Sequence, residues 1–390
     1  MISLFRATAA LSACLLFFVQ AASGDPSDPD AEVQVLLESF RKAYGFPGAT
    51  VAYAAPDGNV RSYAVGHSDV EAGIPMTPET RMLAASIGKT IWGALVLSLE
   101  ADGLISRSDL VSEHLGEQPW FDRVPNAAEI TVGHLLSHTS GLPDHVHMDG
   151  VATELIAMGR LNRFDPTALV SFVLDEPALF EAGTAWSYTD TGYILLGLVM
   201  EAATDASVFE LAAERLLVPL GLAATVPSDK TMLDGLAVGY TIDNNPFGLA
   251  PRTMDDDGRL NWNPVIEWTG GGFASTSADL ALWGHALFSG TAMDADYLGP
   301  LLDGVVVHPD APGVFYAAGI AIYKETPRGP VYGHGGWIPG YVSSLRHYAD
   351  HDLTIAFQIN TDVGVVDDSI DLVPALEEAL ARLLIGALEQ

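Results

Sequence analysis

The sequence predicts an α+β protein: one antiparallel β-sheet flanked by helices, built from both chain ends, with a mainly α-helical domain inserted. Three observations support this prediction: strand-like segments near the start of the chain, more of them near its end, and mostly helical patterns between. Strands from both ends can pair in one sheet when the middle of the chain folds separately. The predicted boundaries are a discontinuous sheet domain over 25–100 and 270–390 and a helical domain over 101–269.

The start of the chain predicts an export signal, a helix and a hairpin. Residues 1–24 combine Arg6 with an apolar run too short to span a bilayer, and small residues follow, as in a secretory signal peptide. Ala31–Tyr44 has the apolar spacing of an amphipathic helix. Strands are predicted at Ala49–Ala55 and Val60–Val65, because a Pro-Asp-Gly turn separates these Val-, Tyr- and Ala-rich segments.

The only cysteine, Cys14, lies inside the predicted signal. Its surroundings resemble a bacterial lipobox, but the apolar run continues beyond it, which suits an ordinary signal better. We therefore expect a periplasmic or secreted protein without disulfides, and we treat a lipoprotein attached through Cys14 as the less favoured alternative.

The last third of the chain predicts further helices and strands. A glycine turn, Gly270-Gly271-Gly272, precedes the first helix and is interpreted as a plain turn, because it lacks the strand and further glycine of a dinucleotide site. The predicted helices are Ser277–Phe288 and Asp368–Leu388, and the predicted strands are Phe315–Tyr323, Val331–His334, Tyr341–Tyr348 and Leu353–Asn360.

The charge balance argues against two classes of partner. Eighteen basic and fifty acidic residues give a formal net charge of −32. Nucleic acids and anionic membranes bind positively charged surfaces, so neither is expected as a partner. The acidic residues are scattered along the chain, which indicates a solvated surface of the kind that salt-tolerant proteins use.

The stretch LAASIGKT, residues 83–90, fits either a phosphate-binding loop or a nucleophile motif. A P-loop needs a glycine five residues before its Gly-Lys pair, and Leu83 stands there instead. The alternative is S-x-x-K at Ser86 and Lys89, with a helix predicted over Thr90–Leu104. Side chains three residues apart share a helix face, so the Lys89 amine can reach the Ser86 hydroxyl and, when desolvated, act as its base. Alone, this short motif could equally be an ordinary helix start.

Three other stretches of the sequence favour the nucleophile motif over an ordinary helix start. HLLSHTSGLPD spans residues 134–144, YTD begins at Tyr188, and HGG begins at His334. In this order and at these separations they resemble the serine β-lactamase and penicillin-binding-protein superfamily, in its branch of class C β-lactamases, D-Ala-D-Ala carboxypeptidases and related esterases. YTD is similar to the Y-x-N element of the branch, and HGG to its K/H-x-G strand. The resemblance extends from about residue 32 to the C-terminus.

The resemblance implies a β-lactamase/transpeptidase-like fold and a role for each site residue. Ser86 would attack a carbonyl and become acylated. Lys89 and Tyr188 would move protons, with Lys89 as the cation that lets the phenol act as a base. Backbone N–H groups of Ser86 and Trp337 would hold the oxyanion. The residues implied to contact substrate are Asp190, His334, Gly335 and Gly336.

Other chemically capable residues have simpler explanations. His134 and His138 are interpreted as structural, because the chemistry implied by the resemblance does not use them. A short acidic loop with two histidines could ligate a metal, but such loops usually do not, so neither a metal nor a cofactor is expected. The residues of this loop are Asp144, His145, His147 and Asp149.

Two departures from the family pattern bear on the substrate. Asp190 replaces an Asn whose amide can donate to a peptide-like substrate, and Gly335 replaces a Thr or Ser whose hydroxyl often binds a substrate carboxylate. His334 could supply compensating charge only when it is protonated. We therefore expect neutral esters to be better substrates than cephalosporins. If nitrocefin were nevertheless hydrolysed faster than p-nitrophenyl butyrate, Arg346 on the following strand would be the first suspect for the missing carboxylate ligand.

The sequence as a whole predicts an exported serine hydrolase that acts through an acyl-enzyme on a small ester, amide or peptide, as an esterase or D-Ala-D-Ala carboxypeptidase. A class C-like β-lactamase is the alternative within the family. A catalytically silent penicillin-binding-type sensor or assembly protein is the alternative of another class, and the complete Ser86, Lys89 and Tyr188 set argues against it. No stable membrane insertion is expected after signal removal.

Overall fold

The computed structural model describes residues 29–153, 157, 165–294, 296–367 and 369–389. The predicted signal at 1–24, with Cys14, and Asp368 at the predicted start of the last helix lie outside the described residues. No helix in the described ranges is both long enough and apolar enough to cross a membrane.

The strands form two antiparallel sheets. In chain order they are β1 (Gly48–Ala54), β2 (Val60–Asp69), β3 (Ile74–Pro75), β4 (Met82–Leu83), β5 (Val226–Pro227), β6 (Phe273–Ser275), β7 (Val305–Val306), β8 (Val314–Tyr316), β9 (Ala321–Tyr323), β10 (Val331–Ile338), β11 (Tyr341–Tyr348) and β12 (Leu353–Ile359). The large sheet has nine strands in the order β3-β2-β1-β12-β11-β10-β9-β8-β7, and the small sheet has the order β4-β6-β5.

The two ends of the chain meet at the centre of the large sheet. Val51 of β1 lies opposite Phe357 of β12 on one side and Tyr63 of β2 on the other. Every residue of β1 and β12 is buried, because both faces of the sheet are covered at this point. This pairing confirms the prediction of one antiparallel sheet built from both chain ends.

Helices cover both faces of the sheet and fill the middle of the chain. They are α1 (Pro29–Tyr44), α2 (Gly88–Ala101), α3 (Val111–Leu115), α4 (Val132–Leu136), α5 (Thr167–Val170), α6 (Asp190–Thr204), α7 (Val208–Ala212), α8 (Ser277–Phe288), α9 (Leu298–Leu302) and α10 (Leu372–Leu388). Side chains alternate across a strand, so β12 contributes Phe357 to the core under α1 and α10 and Ala356 to the core under α2 and α8.

The helical middle of the chain is built around α2 and α6. Both are apolar on nearly all sides: the α2 residues 88–97 and the α6 residues 191–197 are all buried. A helix that is hydrophobic all round needs neighbours on every side, and the shorter helices α3, α5 and α7 pack against them. The division into domains at residues 101 and 269 stays a prediction.

Most predicted elements agree with the structure, and one prediction is wrong. The segment Phe315–Tyr323 is a hairpin of β8 and β9, not a single strand, because Gly319 turns the chain with a φ of +75°. Several ends also shift. For example, α2 stops at Ala101, β2 continues to Asp69, and β10 continues to Ile338 while pairing with β11 along its whole length.

Candidate active site

Ser86 lies in a 3₁₀ turn, Ala85–Ile87, that runs directly into α2. The sequence predicts Ser86 in the first turn of the helix, whereas the structure places it just before the helix begins at Gly88. Ala85 has a φ of +50°, a backbone conformation that non-glycine residues adopt mostly where the surrounding structure imposes it. Ser86 is partly exposed among buried neighbours, so its hydroxyl is accessible at the edge of the core.

The Lys89 side chain is fully buried and has three oxygen neighbours. Its Nζ lies 3.2 Å from the Ser86 Oγ, as the S-x-x-K spacing predicts. It also donates to a carboxylate oxygen of Asp190 and to the backbone carbonyl of Gly270. An ammonium group has three N–H donors, so these three oxygens satisfy it completely.

Asp190 is the first residue of α6, where the positive end of the helix dipole favours a carboxylate. Asp144, from the HTSGLPD loop, stands beside it and accepts a hydrogen bond from the Asp190 backbone N–H at 3.2 Å. Burial and the nearby charge of Asp190 raise the pKa of the Asp144 carboxyl well above its ordinary range. The structure thus gives Asp190 a partner in Lys89, while the predicted substrate contact stays a prediction.

Tyr188 lies close to Lys89, and its surroundings favour the protonated phenol. The Lys89 Nζ lies 4.9 Å from the centre of the Tyr188 ring. Burial of the hydroxyl and the charge of Asp190 nevertheless hold the pKa of the phenol well above 10, although the facing Ser86 hydroxyl acts in the opposite direction. The role of Lys89 as the cation that lets this phenol act as a base stays a prediction. A protonated Tyr188 is suited to donating a proton.

The His334 ring is buried behind Tyr188 and is neutral. Its Nδ1 faces the Gly335 carbonyl, which can only accept, so Nδ1 carries the proton. Its Nε2 then accepts from the Tyr316 hydroxyl at 2.9 Å. Burial lowers the pKa of His334 to about 3. The condition under which His334 could supply compensating charge, its protonation, is therefore not met under ordinary conditions.

The second half of β10 forms an open edge beside Ser86. β10 pairs with β9 only from Val331 to Gly333, so no strand of the described part of the chain covers the later residues on that side. Gly336 packs against the Ser86 turn: a Cβ on it would lie 2.4 Å from the Ala84 carbonyl oxygen. The same carbonyl accepts from the Ser343 hydroxyl at 2.7 Å. Trp337, the predicted second oxyanion donor, follows directly, and its role stays a prediction.

Arg346 is not available as a carboxylate ligand in the cleft. Its guanidinium pairs with Glu377 of α10 at 3.0 Å, on the face of the sheet opposite α2. Gly335 points to this same face, since a Cβ there would lie 3.8 Å from the Arg346 Nη2. Side chains alternate along a strand, and this alternation directs Arg346 away from Ser86. The sequence-based suspicion about Arg346 is therefore wrong.

The Gly270-Gly271-Gly272 segment is a turn, as predicted, and it also contacts Lys89, which the sequence does not predict. Gly270 accepts from Lys89, and the Trp92 indole N–H donates to the Gly271 carbonyl at 3.0 Å. Glu267 accepts from the Gly272 N–H at 2.9 Å. Sequence reasoning identified the turn but missed its contact with Lys89, and it missed Glu267. Three consecutive glycines signal a close backbone approach, but not what approaches.

The histidines of the HTSGLPD region take part in packing and hydrogen bonding. The His138 ring lies 4.2 Å from that of Tyr188, and its Nδ1 accepts from the Thr189 N–H at 3.3 Å. The His145 Nδ1 lies 3.0 Å from the Thr191 hydroxyl, and burial lowers the pKa of this histidine to about 4. Within the described ranges, no three acidic, histidine or cysteine side chains are grouped so that they could hold a metal ion.

Comparison with known proteins gives a family match and several relatives. The Beta-lactamase family model matches residues 33–379. Penicillin-binding protein 4* of Bacillus subtilis (strain 168) is 22% identical over 91% of this chain and 76% of its own length. The D-aminopeptidase of Brucella anthropi is 25% identical over 87% of this chain. This chain covers 61% of that D-aminopeptidase, less than two thirds of its length.

Solved structures show the same fold. A D-stereospecific amidohydrolase from Streptomyces sp. matches with a TM-score of 0.72 and 25% identity, over 85% of this chain and 94% of that chain. The D-amino acid amidase from Ochrobactrum anthropi SV3 matches with a TM-score of 0.75 and 22% identity, over 93% of this chain and 99% of that chain. The fold class predicted from the sequence is confirmed.

Proposed function

The chain belongs to the Beta-lactamase family of serine hydrolases, and on this premise we propose that it hydrolyses amides and esters of D-amino acids through an acyl-enzyme at Ser86. The observation that supports this most directly is the buried Lys89 Nζ, 3.2 Å from the Ser86 Oγ. The names of the D-aminopeptidase, the D-amino acid amidase and the D-stereospecific amidohydrolase suggest the substrate class.

Lys89 can accept the Ser86 proton without any rearrangement of its neighbours. A neutral lysine has two N–H donors and one lone pair. The Gly270 carbonyl and the ionised Asp190 can only accept, so they take the two N–H groups. The lone pair is then left facing the Ser86 hydroxyl, which donates to it. Proton transfer to Lys89 frees the Ser86 oxygen to attack the substrate carbonyl and turns the amine into the fully satisfied ammonium.

Leaving-group departure completes acylation. The C–N or C–O bond of the substrate breaks, and the leaving amine or alcohol takes a proton from Tyr188, whose high pKa keeps it protonated beforehand. Tyr188 regains a proton from Lys89. Backbone N–H groups of Ser86 and Trp337 would hold the negative oxygen that forms during attack. Water then hydrolyses the ester at Ser86 by the reverse sequence.

The charges of the site disfavour substrates with a carboxylate next to the scissile bond. The charge of Lys89 is balanced by Asp190, His334 is neutral, and Arg346 is paired on the other face of the sheet. β-Lactams and D-Ala-D-Ala peptides carry such a carboxylate, whereas amides and esters of amino acids with a free amino group do not. This favours the amidase or aminopeptidase reaction over the β-lactamase and carboxypeptidase alternatives.

A stereochemical substrate panel tests the proposal. The purified protein is assayed with D- and L-phenylalanine p-nitroanilide, p-nitrophenyl butyrate, a D-Ala-D-Ala peptide and nitrocefin, and Ser86→Ala is the control. We expect kcat/KM to be highest for the D-anilide or the ester and at least ~10-fold lower for nitrocefin, since about 1.4 kcal/mol of lost carboxylate binding gives a factor of ten. Faster hydrolysis of nitrocefin than of every other substrate would establish the β-lactamase alternative instead.

Covalent labelling separates an enzyme from a silent binding protein. Mass spectrometry after incubation with a fluorophosphonate should show one adduct, on Ser86. Absence of an adduct with both the fluorophosphonate and penicillin, together with no turnover, would support the sensor or assembly alternative.

Export is a further part of the proposal. Residues 1–24 have the pattern of a signal peptide. N-terminal sequencing of the protein recovered from the periplasm or medium should begin after this segment, and recovery of an intact N-terminus from the cytoplasm would contradict export.

A further inference from the structure

The Gly270-Gly271-Gly272 turn is packed between Glu267 and the helix that follows Ser86. A Cβ on Gly88 would lie 2.0 Å from the Gly271 carbonyl oxygen, so the turn touches the first residue of α2. A Cβ on Gly271 would lie 2.6 Å from the Ala85 carbonyl oxygen. Between Glu267 and the turn, Trp268 has a φ of +39°, which is a strained conformation for this residue type. The turn therefore has little freedom to move while these contacts hold.

Glu267 fixes the turn from the other side. One carboxyl oxygen accepts from the Gly272 N–H at 2.9 Å, and the other occupies the space that a side chain on Gly271 would fill, 2.1 Å from the ideal Cβ position. Gly270, directly before Gly271, is held by the same contacts, and its carbonyl accepts from Lys89. The position of the Lys89 amine thus depends on the position of Glu267.

Glu267 also acts on Lys89 through its charge. Burial raises the pKa of Glu267 to about 7, while the Gly272 N–H and Lys89 oppose this effect. Three further titratable groups lie close enough to affect this electrostatic interaction. Asp190 and Tyr188 interact electrostatically with the Glu267 carboxyl, and Asp144 interacts electrostatically with Asp190 and Lys89. Burial lowers the pKa values of the histidines at 138, 145 and 334, which favours their neutral forms near neutral pH. Ionisation of Glu267 therefore adds a negative charge near Lys89 close to neutral pH.

We propose that Glu267 is a positioning residue of this site, which holds the glycine turn against Lys89 and, when ionised, stabilises the Lys89 ammonium. The inference rests on the proposed acyl-enzyme function only for its kinetic consequence; the coupling between Glu267 and Lys89 exists whether or not the protein is an enzyme. A neutral Glu267 leaves the Lys89 lone pair more available to Ser86, and an ionised Glu267 makes it less available.

Lysine NMR tests the coupling without any substrate. The chain has only four lysines, at 42, 89, 230 and 324, so protein labelled with ¹³C at lysine Cε gives four resonances. Three of these lysines are exposed and Lys89 is buried, and Lys89→Arg assigns its resonance by loss. We expect the Lys89 resonance to shift with a midpoint near pH 7 in the natural protein and this step to be absent in Glu267→Gln. Asp144→Asn identifies any second step that comes from Asp144.

A matched control is Glu201→Gln. Glu201 likewise accepts a backbone N–H, that of Val208 at 3.1 Å, and burial likewise raises the pKa of its carboxyl. Unlike that of Glu267, its pKa is not among those that Lys89 affects. The Lys89 step should persist in Glu201→Gln. Persistence of the step in Glu267→Gln would overturn the proposal, whatever the activity of the protein.

Kinetics separate positioning from a general structural role. Below pH 6 both the natural protein and Glu267→Gln are neutral at this position, so the ratio of their kcat/KM values should be flat. Above pH 7 the ratio of variant to natural protein should rise, by roughly tenfold for a one-unit effect on the base. Glu267→Ala, which loses the contact with Gly272, should be slower at every pH. A pH-independent ratio of kcat/KM values, together with equal rates for Glu267→Gln and Glu267→Ala, would overturn the positioning role. If the natural protein shows the NMR step but hydrolyses no substrate, only the proposed function is refuted.

Discussion

Lys89 is a buried cation, and a single carboxylate makes its burial tolerable. A charge in a protein interior is costly unless it is paired and hydrogen-bonded. The ion pair with Asp190 and the hydrogen bonds to Ser86 and Gly270 meet that need. Asp190 is 24% exposed at its side chain, so it keeps some contact with solvent when Lys89 becomes neutral. The same pair therefore stabilises the fold and holds the base in place.

Lys89→Ala should separate these two contributions. We expect acylation of Ser86 to fall by about 10²–10⁴-fold, because a positioned base contributes that much. We also expect a lower thermal midpoint, since breaking a buried pair leaves the Asp190 charge without its partner. Lys89→Ala combined with Asp190→Asn should recover stability but not activity. Rapid fluorophosphonate labelling of either variant would remove Lys89 from the mechanism. Lys89→Arg should not restore labelling, because the guanidinium stays protonated.

Asp144 should make stability depend on pH in a defined direction. Its pKa in the folded protein lies above the unfolded value of about 3.9, so folding binds a proton and stability is lost as pH rises from about 4 towards the raised pKa. Asp144→Asn cannot ionise and can still accept from Asp190. The melting temperature of the variant minus that of the natural protein should therefore be smallest near pH 5 and grow towards pH 8.

Asp57→Asn gives the opposite sign as a control. Hydrogen bonds from Asn59 lower the pKa of the Asp57 carboxyl, so its ionised form favours folding, and this contribution is lost as pH falls. The melting temperature of this variant should equal that of the natural protein in acid and fall below it at neutral pH. Parallel curves for the two variants would contradict the assignment of a raised pKa to Asp144.

At the scale of the elements, the site depends on backbone segments that approach each other closely at glycine residues. The Ser86 turn meets β10 at Gly336 and the glycine turn at Gly88. Each contact joins two pieces that are distant in sequence. A helix, a loop and an open strand edge thus surround one serine hydroxyl.

Gly88→Ala gives a test in which helix propensity and packing have opposite signs. Gly88 has a helical φ of −54°, so propensity alone predicts stabilisation by up to about 1 kcal/mol. Its Cβ would meet the Gly271 carbonyl oxygen at 2.0 Å, and overpacking of this kind typically costs about 1–3 kcal/mol. We expect a lower free energy of unfolding in urea, and slower acylation because the turn that contacts Lys89 is displaced.

The matched control is Gly386→Ala in α10. A Cβ at this position meets nothing within 4 Å, so propensity should act alone and stabilise the protein by about 0.5–1 kcal/mol. An increase in stability for both variants would mean that the glycine turn moves easily, and the packing argument at Gly88 would fail.

At the scale of the whole molecule, a sheet joined from both chain ends carries a strongly acidic surface. The net charge of −32 destabilises the compact state by self-repulsion, and the free energy gained from the buried centre of the sheet has to exceed this cost. The pairing of β1 with β12 ties the first described helix to the last, because α1 packs on α10 over the same face. Unfolding of either end should therefore release the other.

Salt should stabilise the protein by screening this repulsion. The Debye length falls from about 30 Å at 0.01 M to about 10 Å at 0.1 M, so most of the effect should occur at low concentration. We expect the melting midpoint to rise between 10 and 500 mM NaCl. Sucrose at equal osmolality serves as a control for effects unrelated to charge. A flat or falling midpoint in NaCl would mean that local ion pairs already balance the acidic residues.

The sequence alone determined the elements and the chemistry that depend on nearby residues. The Ser86–Lys89 contact follows from a three-residue spacing on a helical turn, and Tyr341–Tyr348 and Ser277–Phe288 have the predicted bounds, because local periodicity reflects burial. The superfamily was recognisable because its motifs are short and contiguous.

Only the tertiary structure decided what lies beside those residues. Glu267, Gly270 and Asp144 surround Lys89 and Asp190 from loops far away in sequence, and no spacing rule connects them. The protonation of Tyr188 and His334 was likewise open, because a pKa depends on burial and on charges within a few ångströms, and both are properties of the folded chain. Arg346 faces away from Ser86 for a similar reason: strand register, which is set by long-range pairing, decides the face on which a side chain lies.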